Sequence, residues 1–290
     1  MPVAESKVIF ITPTDLSPHR PDLPLFVFLP GMDGTGRLLT VQVEDLAVYF
    51  DLRCLVIPPT DLTDWDGLAD QVAALIRAEL KENPNRPVYL CGESFGGCLA
   101  LKVVLRSPQI ITRLILVNPA SSFNRRPWIV WGSQMTRLLA EPVYQISCVG
   151  LLPFLANLER LEPSERRTLL QAMKSVSQKS SIWRLSLLAE FSVTPAELWS
   201  IRQPTLLVAG ARDRLLPSLP EINRLARHIA HNRTYVLPNS GHACLLESDV
   251  SLWQILKRSQ FFETSEGGLG LPQGSTERPL ATSPRPARDV

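Results

Sequence analysis

The stretch that most constrains the fold runs from residue 88 to about residue 107. A short apolar run ends in Gly92-Glu93-Ser94-Phe95-Gly96, and an apolar helical pattern follows it. This Gly-x-Ser-x-Gly pattern predicts a strand, a sharp turn and a helix, with the serine presented at the top of a sheet. The flanking glycines suit a tight turn because they carry no Cβ that would collide with neighbouring backbone. We therefore predict that Ser94 is a nucleophile at the N-terminus of a helix, where negative charge is stabilised.

Apolar periodicity on both sides of this motif predicts alternating strands and helices. Short apolar runs predict strands at 7–11, 25–29, 52–57, 88–91, 114–117, 205–209 and 234–237. Helical patterns occupy 37–49, 67–82, 95–107, 219–231 and 252–262. Strands that are apolar throughout require cover on both faces, so the pattern predicts an α/β protein with a mostly parallel, doubly wound sheet.

The segment 121–201, here called the insertion, interrupts this alternation. It shows helical patterns at 128–140, 143–158, 163–178 and 181–191, and it contains four of the six tryptophans of the chain. Because it lies between two sheet strands, we predict a helical cap over the active site. We take Trp131 and Trp183 as candidate substrate contacts.

An uncharged run at 142–158 of the insertion is short for a membrane span, and Gly150 and Pro153 interrupt it. We interpret this run as a cap helix that packs on the core. An interfacial lid that contacts a membrane is the alternative.

The sequence predicts one α/β core formed by 1–120 and 202–262, with a tail at 263–290. The tail is rich in Pro, Gly, Ser and Thr and poor in apolar residues, so we expect it to be disordered.

No charged segment followed by an apolar stretch opens the chain, which argues against a secretory signal. The five cysteines lack metal-type spacing, which favours buried free thiols in a reducing compartment. A net charge of +2 argues against a dedicated nucleic-acid binder.

Three residues in chain order, Ser94, Asp213 and His242, can form a catalytic triad. A serine hydroxyl is a weak nucleophile near neutral pH, and a histidine can take and return its proton. The histidine in turn needs an acid that holds its tautomer. Asp213 and His242 each follow a predicted strand, so both are expected at the sheet edge where Ser94 is presented. The order Ser, Asp, His is typical of α/β-hydrolases. A helix cap or turn carboxylate for Asp213 and a turn histidine for His242 are the alternatives.

The glycine-dense loop 30–36 follows the predicted strand 25–29. It lacks the Gly-x-Gly-x-x-Gly and Lys-Ser/Thr patterns of phosphate-binding loops, which disfavours nucleotide binding. In an α/β-hydrolase, a loop after an early strand and the residue after the nucleophile supply the two N–H groups of the oxyanion hole. We therefore expect the backbone N–H groups of Met32 and Phe95 to form this hole. A plain strand–helix turn is the alternative for the loop.

Four ordered motifs resemble the hydrolase domain of plant phytyl ester synthases and of their shorter cyanobacterial relatives. They are Leu-Pro-Gly-Met-Asp-Gly-Thr-Gly (29–36), Gly-Glu-Ser-Phe-Gly-Gly (92–97), Ala-Arg-Asp-Arg-Leu-Leu-Pro (211–217) and Ser-Gly-His (240–242). The resemblance covers roughly 25–262 and includes Pro30-Gly31, where most α/β-hydrolases carry His-Gly. It implies long-chain acyl esters as substrates, with phytol or diacylglycerol as candidate acyl acceptors. The His-x4-Asp motif of the second, acyltransferase-like domain of the plant proteins has no match here, so ester hydrolysis and transfer to an alcohol both stay open.

Together these features predict a serine-dependent acyl-transfer enzyme that works through an acyl-enzyme on long-chain acyl esters or thioesters. It would be a lipid esterase or an O-acyltransferase that forms phytyl, wax or acylglycerol esters. The alternatives are a hydrolase of small esters and a weakly catalytic, ligand-binding member of the fold. We expect no metal and no organic cofactor, a cytoplasmic location, and a peripheral membrane contact through the insertion as an open alternative.

Overall fold

The computed structural model describes residues 7–13, 19–125, 143–144 and 149–262. Within this part of the chain, seven strands form a single sheet. The strands are β1 (Ile9–Ile11), β2 (Leu25–Leu29), β3 (Asp51–Val56), β4 (Val88–Glu93), β5 (Arg113–Val117), β6 (Thr205–Gly210) and β7 (Asn232–Leu237). Each predicted strand is therefore present, with ends that differ by two residues at most. The predicted tail 263–290 lies outside the described residues, and the division of the chain into domains stays a prediction.

The sheet has the strand order β1-β3-β2-β4-β5-β6-β7. Only β1 runs antiparallel, with Ile9 opposite Val56, and the other neighbouring strands pair in parallel. Successive residues of β2 pack on opposite faces: Val27 lies in one core cluster and Phe28 in another. The sheet is thus covered on both faces, which confirms the predicted α/β-hydrolase fold and its doubly wound, mostly parallel sheet.

Helices cover the two faces of this sheet. They are α1 (Val43–Leu46), α2 (Trp65–Glu79), α3 (Phe95–Arg106), α4 (Leu152–Leu155), α5 (Pro163–Lys174), α6 (Gln178–Glu190), α7 (Pro195–Ser200), α8 (Ser218–Ala226) and α9 (Leu252–Arg258). The helix predicted at 37–49 is instead a 3₁₀ segment, Arg37–Gln42, followed by the single turn of α1. Helix α2 begins where Asp64 accepts a hydrogen bond from Gly67 N–H, two residues before its predicted start.

The insertion is helical in its described part, between β5 and β6. The single helix predicted at 143–158 is wrong, because α4 is one turn long and Ala156 leaves it in an extended conformation. Pro153 lies in the first turn of this helix, where its missing N–H costs no hydrogen bond, and no side chain caps the N-terminus. The predicted helix 128–140 lies outside the described residues. Helix α7 was not predicted from the sequence. It begins with a capping box formed by Thr194 and Glu197.

No helix in the described part of the chain is long and apolar enough to cross a membrane. The four described cysteines, Cys54, Cys91, Cys98 and Cys244, are buried free thiols, as predicted, while Cys148 lies outside the described residues.

Candidate active site

Ser94 lies at the tip of the turn between β4 and α3. Its backbone has φ 54° and ψ −114°, a strained conformation for a residue that carries a side chain. Two glycines make the turn possible. A Cβ on Gly92 would lie 2.2 Å from Gly96 O, and a Cβ on Gly96 would lie 2.0 Å from Leu29 O. The backbone elements around the nucleophile are therefore packed too closely for any other residue type at these two positions.

The three side chains predicted as a triad are hydrogen-bonded to one another. His242 Nε2 lies 2.8 Å from Ser94 Oγ, and His242 Nδ1 lies 2.6 Å from Asp213 Oδ2. An ionised carboxylate only accepts, so Nδ1 carries the proton and donates to Asp213. Nε2 is then the acceptor for the hydroxyl proton of Ser94. This is the arrangement in which a histidine acts as the general base for a serine nucleophile.

Asp213 accepts hydrogen bonds from several groups besides His242. Its Oδ1 accepts hydrogen bonds of 2.9 Å from both Leu215 N–H and Leu216 N–H. Its Oδ2 also accepts a hydrogen bond of 2.5 Å from the hydroxyl of Ser218 at the start of α8. Burial raises the pKa of Asp213, but His242 and these donors lower it more, so the pKa lies below its usual value. The carboxylate is charged and fixed in orientation.

His242 is buried beside this carboxylate, with only 4% of its surface exposed. Burial by itself lowers the pKa of the imidazole, while the charge of Asp213, its hydrogen bond and the more distant Glu93 raise it. The net effect is a pKa above the ordinary value of 6.5. The site therefore favours the imidazolium form of His242.

The loop after β2 lies close to Ser94. A Cβ placed on Gly31 would lie 3.7 Å from Ser94 Cβ. Gly31 O accepts a hydrogen bond of 3.1 Å from Gly34 N–H, so the Met32 N–H of the same trans peptide points away from this turn. Neither Met32 N–H nor Phe95 N–H has a hydrogen-bond acceptor within the described residues. As far as the described ranges show, both amides are available to an oxyanion, and their role in catalysis stays a prediction.

Asn118, for which no role was predicted, directly follows β5. Its backbone φ is 42°, in the left-handed region that Asn tolerates better than most residues. Its side-chain amide donates to Gly241 O at 3.2 Å and to His242 O at 2.6 Å, and its side-chain oxygen accepts from Gly210 N–H at 2.8 Å. An Asn-Pro pair directly after a parallel strand was the available signal, but it also marks ordinary turns.

Two further carboxyl groups, Glu93 and Asp33, lie close to the triad but are not hydrogen-bonded to it. Glu93 Oε1 and Asp33 Oδ1 are buried and have no hydrogen-bond partner in the described ranges. Burial raises the pKa of Glu93 to about 8, with Asp33 adding to the rise and His242 opposing it. Burial likewise raises the pKa of Asp33. Asp213, and neither of these groups, is therefore the hydrogen-bonded partner of His242.

Trp183 of helix α6 is half-buried against the main core cluster. Its indole N–H donates to Thr63 O at 3.2 Å, so the polar end of the ring is used in attaching the insertion to the core. A contact between substrate and Trp183 stays a prediction. Trp131 lies outside the described residues.

One group of side chains in the described ranges has ligand atoms close enough for a metal ion: His19, Asp51 and Glu79. The guanidinium groups of Arg53 and Arg86 already bind Asp51, each at 2.7 Å. Arg53 also binds Glu79 at 3.0 Å. These cations neutralise the carboxylates, so the cluster is an ion-pair network and not a metal site.

Similarity to known proteins agrees with this geometry. Residues 59–249 match the family described as serine aminopeptidase, S33. The chain is 31% identical over 271 residues to phytyl ester synthase 1, chloroplastic, of Arabidopsis thaliana, covering 86% of this chain and 38% of the relative. The chain thus spans well under half the length of that plant protein.

Two further comparisons concern shorter proteins. The chain is 26% identical over 230 residues to a pimeloyl-(acyl-carrier protein) methyl ester esterase of Vibrio campbellii, covering 77% of this chain and 88% of the esterase. The structure of the enol-lactonase from Burkholderia xenovorans LB400 superposes with a TM-score of 0.71 at 16% identity, covering 88% of this chain and 96% of the lactonase. At that identity the likeness shows the fold alone. With its sheet, its serine turn and the match over residues 59–249, the chain belongs to the serine aminopeptidase S33 family of α/β-hydrolases, a family of serine hydrolases.

Proposed function

We propose that the protein is a serine-dependent acyl-transfer enzyme that acts on long-chain acyl esters or thioesters. The observation that carries this proposal is the continuous hydrogen-bonded chain from Ser94 Oγ through His242 to Asp213. A strained serine beside a neutral imidazole acceptor, with two unoccupied amides nearby, is suited to acyl transfer and needs no metal or organic cofactor.

The reaction follows from these contacts. Ser94 Oγ attacks the carbonyl carbon of the ester while His242 Nε2 takes the hydroxyl proton. The N–H groups of Met32 and Phe95 stabilise the negative oxygen of the tetrahedral intermediate. His242 then returns the proton to the leaving alcohol or thiol, which leaves the acyl group on Ser94. Water or an alcohol, deprotonated by His242, then attacks the acyl carbon. The bond to Ser94 Oγ breaks, His242 returns the proton to Oγ, and an acid or a new ester is released.

The substrate class rests on the relatives and on the insertion. The names of the plant synthase and of the Vibrio esterase both refer to ester chemistry. The first name describes the synthesis of phytyl esters and the second the cleavage of a methyl ester. We propose that the insertion forms the cap over an acyl chain, and that Trp131 and Trp183 contact this chain. The second candidate function is hydrolysis of esters, which the bacterial esterase supports because it matches this chain over most of its own length.

We also propose a peripheral membrane contact through the insertion. Val149, Leu151 and Phe154 are exposed apolar side chains at 41%, 44% and 50% of their surface. Phe154 lines a cavity of about 210 Å³ together with Arg212 and Arg214, which flank the triad aspartate. Exposed apolar residues beside arginines suit a surface of anionic lipid. Phe154→Asp should reduce co-flotation with anionic phosphatidylglycerol vesicles, whereas Trp199→Asp, which changes another exposed ring, should not. Equal binding of all three proteins would reject this contact.

The nucleophile is tested with a fluorophosphonate probe. Wild type should be labelled covalently and Ser94→Ala should not. Loss of Ser94 should reduce turnover by about 10⁴-fold or more, as for other triads. Equal labelling of both proteins would refute the role of Ser94, and absence of labelling in both would favour a weakly catalytic, ligand-binding protein.

The substrate class is tested with nitrophenyl esters of increasing chain length. A buried methylene contributes about 0.8 kcal/mol, so activity should rise well beyond four carbons if the insertion covers the acyl chain. A preference for acetyl or butyryl esters would reject the lipid proposal and leave the serine mechanism in place. Incubation with an acyl-lipid mixture, with and without phytol, then separates free acids from new esters. An increase in phytyl ester at the expense of free acid indicates transfer, since water and alcohol compete for one acyl-enzyme.

A further inference from the structure

We propose that Arg184, on helix α6 of the insertion, is a positioning residue that holds the oxyanion loop in its active conformation. The inference rests on the proposed function, because it concerns the amide of Met32 that would stabilise the oxyanion. Arg184 touches none of the three triad side chains in the described contacts; it acts through the loop 31–34.

The side chain of Arg184 binds a backbone carbonyl of the loop 31–34. Its Nη1 donates to Met32 O at 2.5 Å, and its Nη2 donates to Ile57 O at 3.0 Å. The residue is 2% exposed, so these bonds do not compete with bulk water. A buried guanidinium is costly unless its donors are used. Here one cation joins the loop after β2 to the end of β3, two segments of the core that are far apart in sequence.

The loop is shaped to receive this guanidinium. Gly34 has φ +66°, and a Cβ at this position would lie 2.7 Å from Nη1 and 2.8 Å from Nη2 of Arg184. The side chain therefore occupies the space that any other residue at position 34 would fill. The neighbouring carboxyl of Asp33 attracts the guanidinium, which opposes the effect of burial on the pKa of Arg184. The glycine, the carbonyl of Met32 and the carboxyl of Asp33 all accommodate one buried cation.

Helix α6 is itself fixed to the core, so Arg184 has a rigid support. Trp65 Nε1 donates to Leu187 O at 2.8 Å, and Trp183 Nε1 donates to Thr63 O. Ser180 Oγ donates to Pro59 O. The hydrogen bonds reach the segment 57–65 from successive turns of one helix. Arg184 adds the link from this helix to the loop beside Ser94.

Two hydrogen bonds fix the orientation of two consecutive peptide planes in this loop. The Gly31–Met32 plane is held by the bond from Gly34 N–H to Gly31 O, which turns Met32 N–H outward. The Met32–Asp33 plane is held by Arg184 through Met32 O. The Met32–Asp33 plane is the central peptide of the turn that the bond from Gly34 N–H to Gly31 O closes. Loss of Arg184 removes the bond that fixes this central peptide, which weakens the closure of the turn and therefore the hold on the Met32 N–H. The insertion thereby determines how well the oxyanion hole is formed.

The test compares Arg184→Met with wild type and with Ser180→Ala. Ser180→Ala removes a different hydrogen bond between α6 and the core and leaves Met32 O untouched. We expect Arg184→Met to lower kcat about 10- to 100-fold, with KM changed less than threefold. This loss is smaller than the roughly 100- to 1000-fold loss known for removal of one oxyanion donor, because the Met32 N–H is displaced and not removed. The inhibition constant of an alkyl boronic acid, which forms a tetrahedral adduct, should rise by a similar factor. Ser180→Ala should keep both values, and the pH midpoint of activity should be the same in all three proteins.

A second pair of variants covers the case in which Arg184→Met does not fold. Gly34→Ala places a methyl group against the guanidinium, whereas Gly36→Ala, at φ +69°, imposes the same backbone strain against Cys54 Cβ instead. Gly34→Ala should lower kcat at least tenfold more than Gly36→Ala does. Unchanged kcat in folded Arg184→Met, or equal losses in the two glycine variants, would overturn the inference. Absence of fluorophosphonate labelling in wild type would instead refute the proposed function, so the two failures are distinguishable.

Discussion

The side-chain amide of Asn118 donates a hydrogen bond of 2.6 Å to the backbone carbonyl of His242. The other end of the same side chain accepts a hydrogen bond of 2.8 Å from Gly210 N–H, at the end of β6. One buried residue at the end of β5 thus joins the strand that precedes Asp213 to the loop that carries His242. Two triad members are positioned by a side chain that touches neither of their functional groups.

Substitution of Asn118 should therefore impair catalysis more than binding. Asn118→Ala removes the hydrogen bonds to Gly210 and His242 and leaves buried backbone groups unpaired, which costs about 1–3 kcal/mol for each group. We expect kcat to fall at least tenfold, with KM nearly unchanged and the melting temperature lowered. Steady-state kinetics with a nitrophenyl ester and thermal unfolding measure both effects.

Asn118→Gly is the matched control, because glycine accepts the φ of 42° without strain but forms no side-chain hydrogen bond. It should be more stable than Asn118→Ala and equally poor in kcat. Recovery of wild-type kcat in the glycine variant would show that only the backbone conformation matters.

Asp213→Asn should keep the fold and reduce turnover by about 10⁴-fold, because the amide favours the wrong tautomer of His242. Ser218→Ala removes one donor to Asp213 Oδ2 but leaves the two backbone N–H donors to Oδ1, so its loss should be far smaller. Kinetics on the same ester rank the two variants. Unchanged turnover in Asp213→Asn would transfer the role to another carboxyl, and Asp33→Asn and Glu93→Gln would be the next variants to measure.

The pH dependence of activity should report the raised pKa of His242. The imidazole must be neutral to accept the proton of Ser94, so kcat/KM should fall as the pH drops through this pKa. Because burial lowers this pKa less than Asp213 and Glu93 together raise it, the midpoint of the acid limb should lie above 6.5. A profile measured from pH 5 to pH 9 gives this midpoint. A midpoint below 6.5 would contradict the assignment of the base.

Glu93 should destabilise the folded protein progressively as the pH rises from about 4.5 to about 8. Its pKa is about 8 when folded, against an ordinary value of 4.5. Between these values the folded protein binds a proton that the unfolded chain has released, so this group lowers the free energy of unfolding as pH rises. Asp33, Cys91, Cys244 and His242 are the titratable groups that interact with it.

Glu93→Gln removes this effect. The free energy of unfolding of the variant, minus that of wild type, should increase between pH 4.5 and pH 8 by a few kcal/mol, at about 1.4 kcal/mol for each pH unit. Urea unfolding at several pH values measures this difference, and any constant cost of the amide cancels in the comparison. A difference that does not change with pH would rule out the raised pKa.

The sequence by itself determined the sheet and predicted which three side chains meet at its edge. Apolar runs such as 25–29 and 205–209 report burial on both faces directly, because a strand covered on two sides leaves no place for polar residues. Ser94 lies in a turn whose glycines are demanded by contacts within a few residues of it or with the adjacent strand. Parallel strands then bring the segments after β4, β6 and β7 to one edge, so the order of the motifs was sufficient to predict which side chains meet.

Only the tertiary structure decided what surrounds those residues. The uncharged run 142–158 has no alternation that distinguishes one long helix from short turns, and its described part contains the one-turn helix Leu152–Leu155, after which Ala156 is extended. Glu93 and Arg184 carry no local signal for their surroundings, and the Asn-Pro pair at 118–119 is a signal that ordinary turns share. The partners of all three residues are brought close only by folding. The pKa of Glu93 depends on burial, and Arg184 meets Met32 across 152 residues of sequence. Hydrogen bonds and desolvation act through space, whereas periodicity reports only which side of an element is buried.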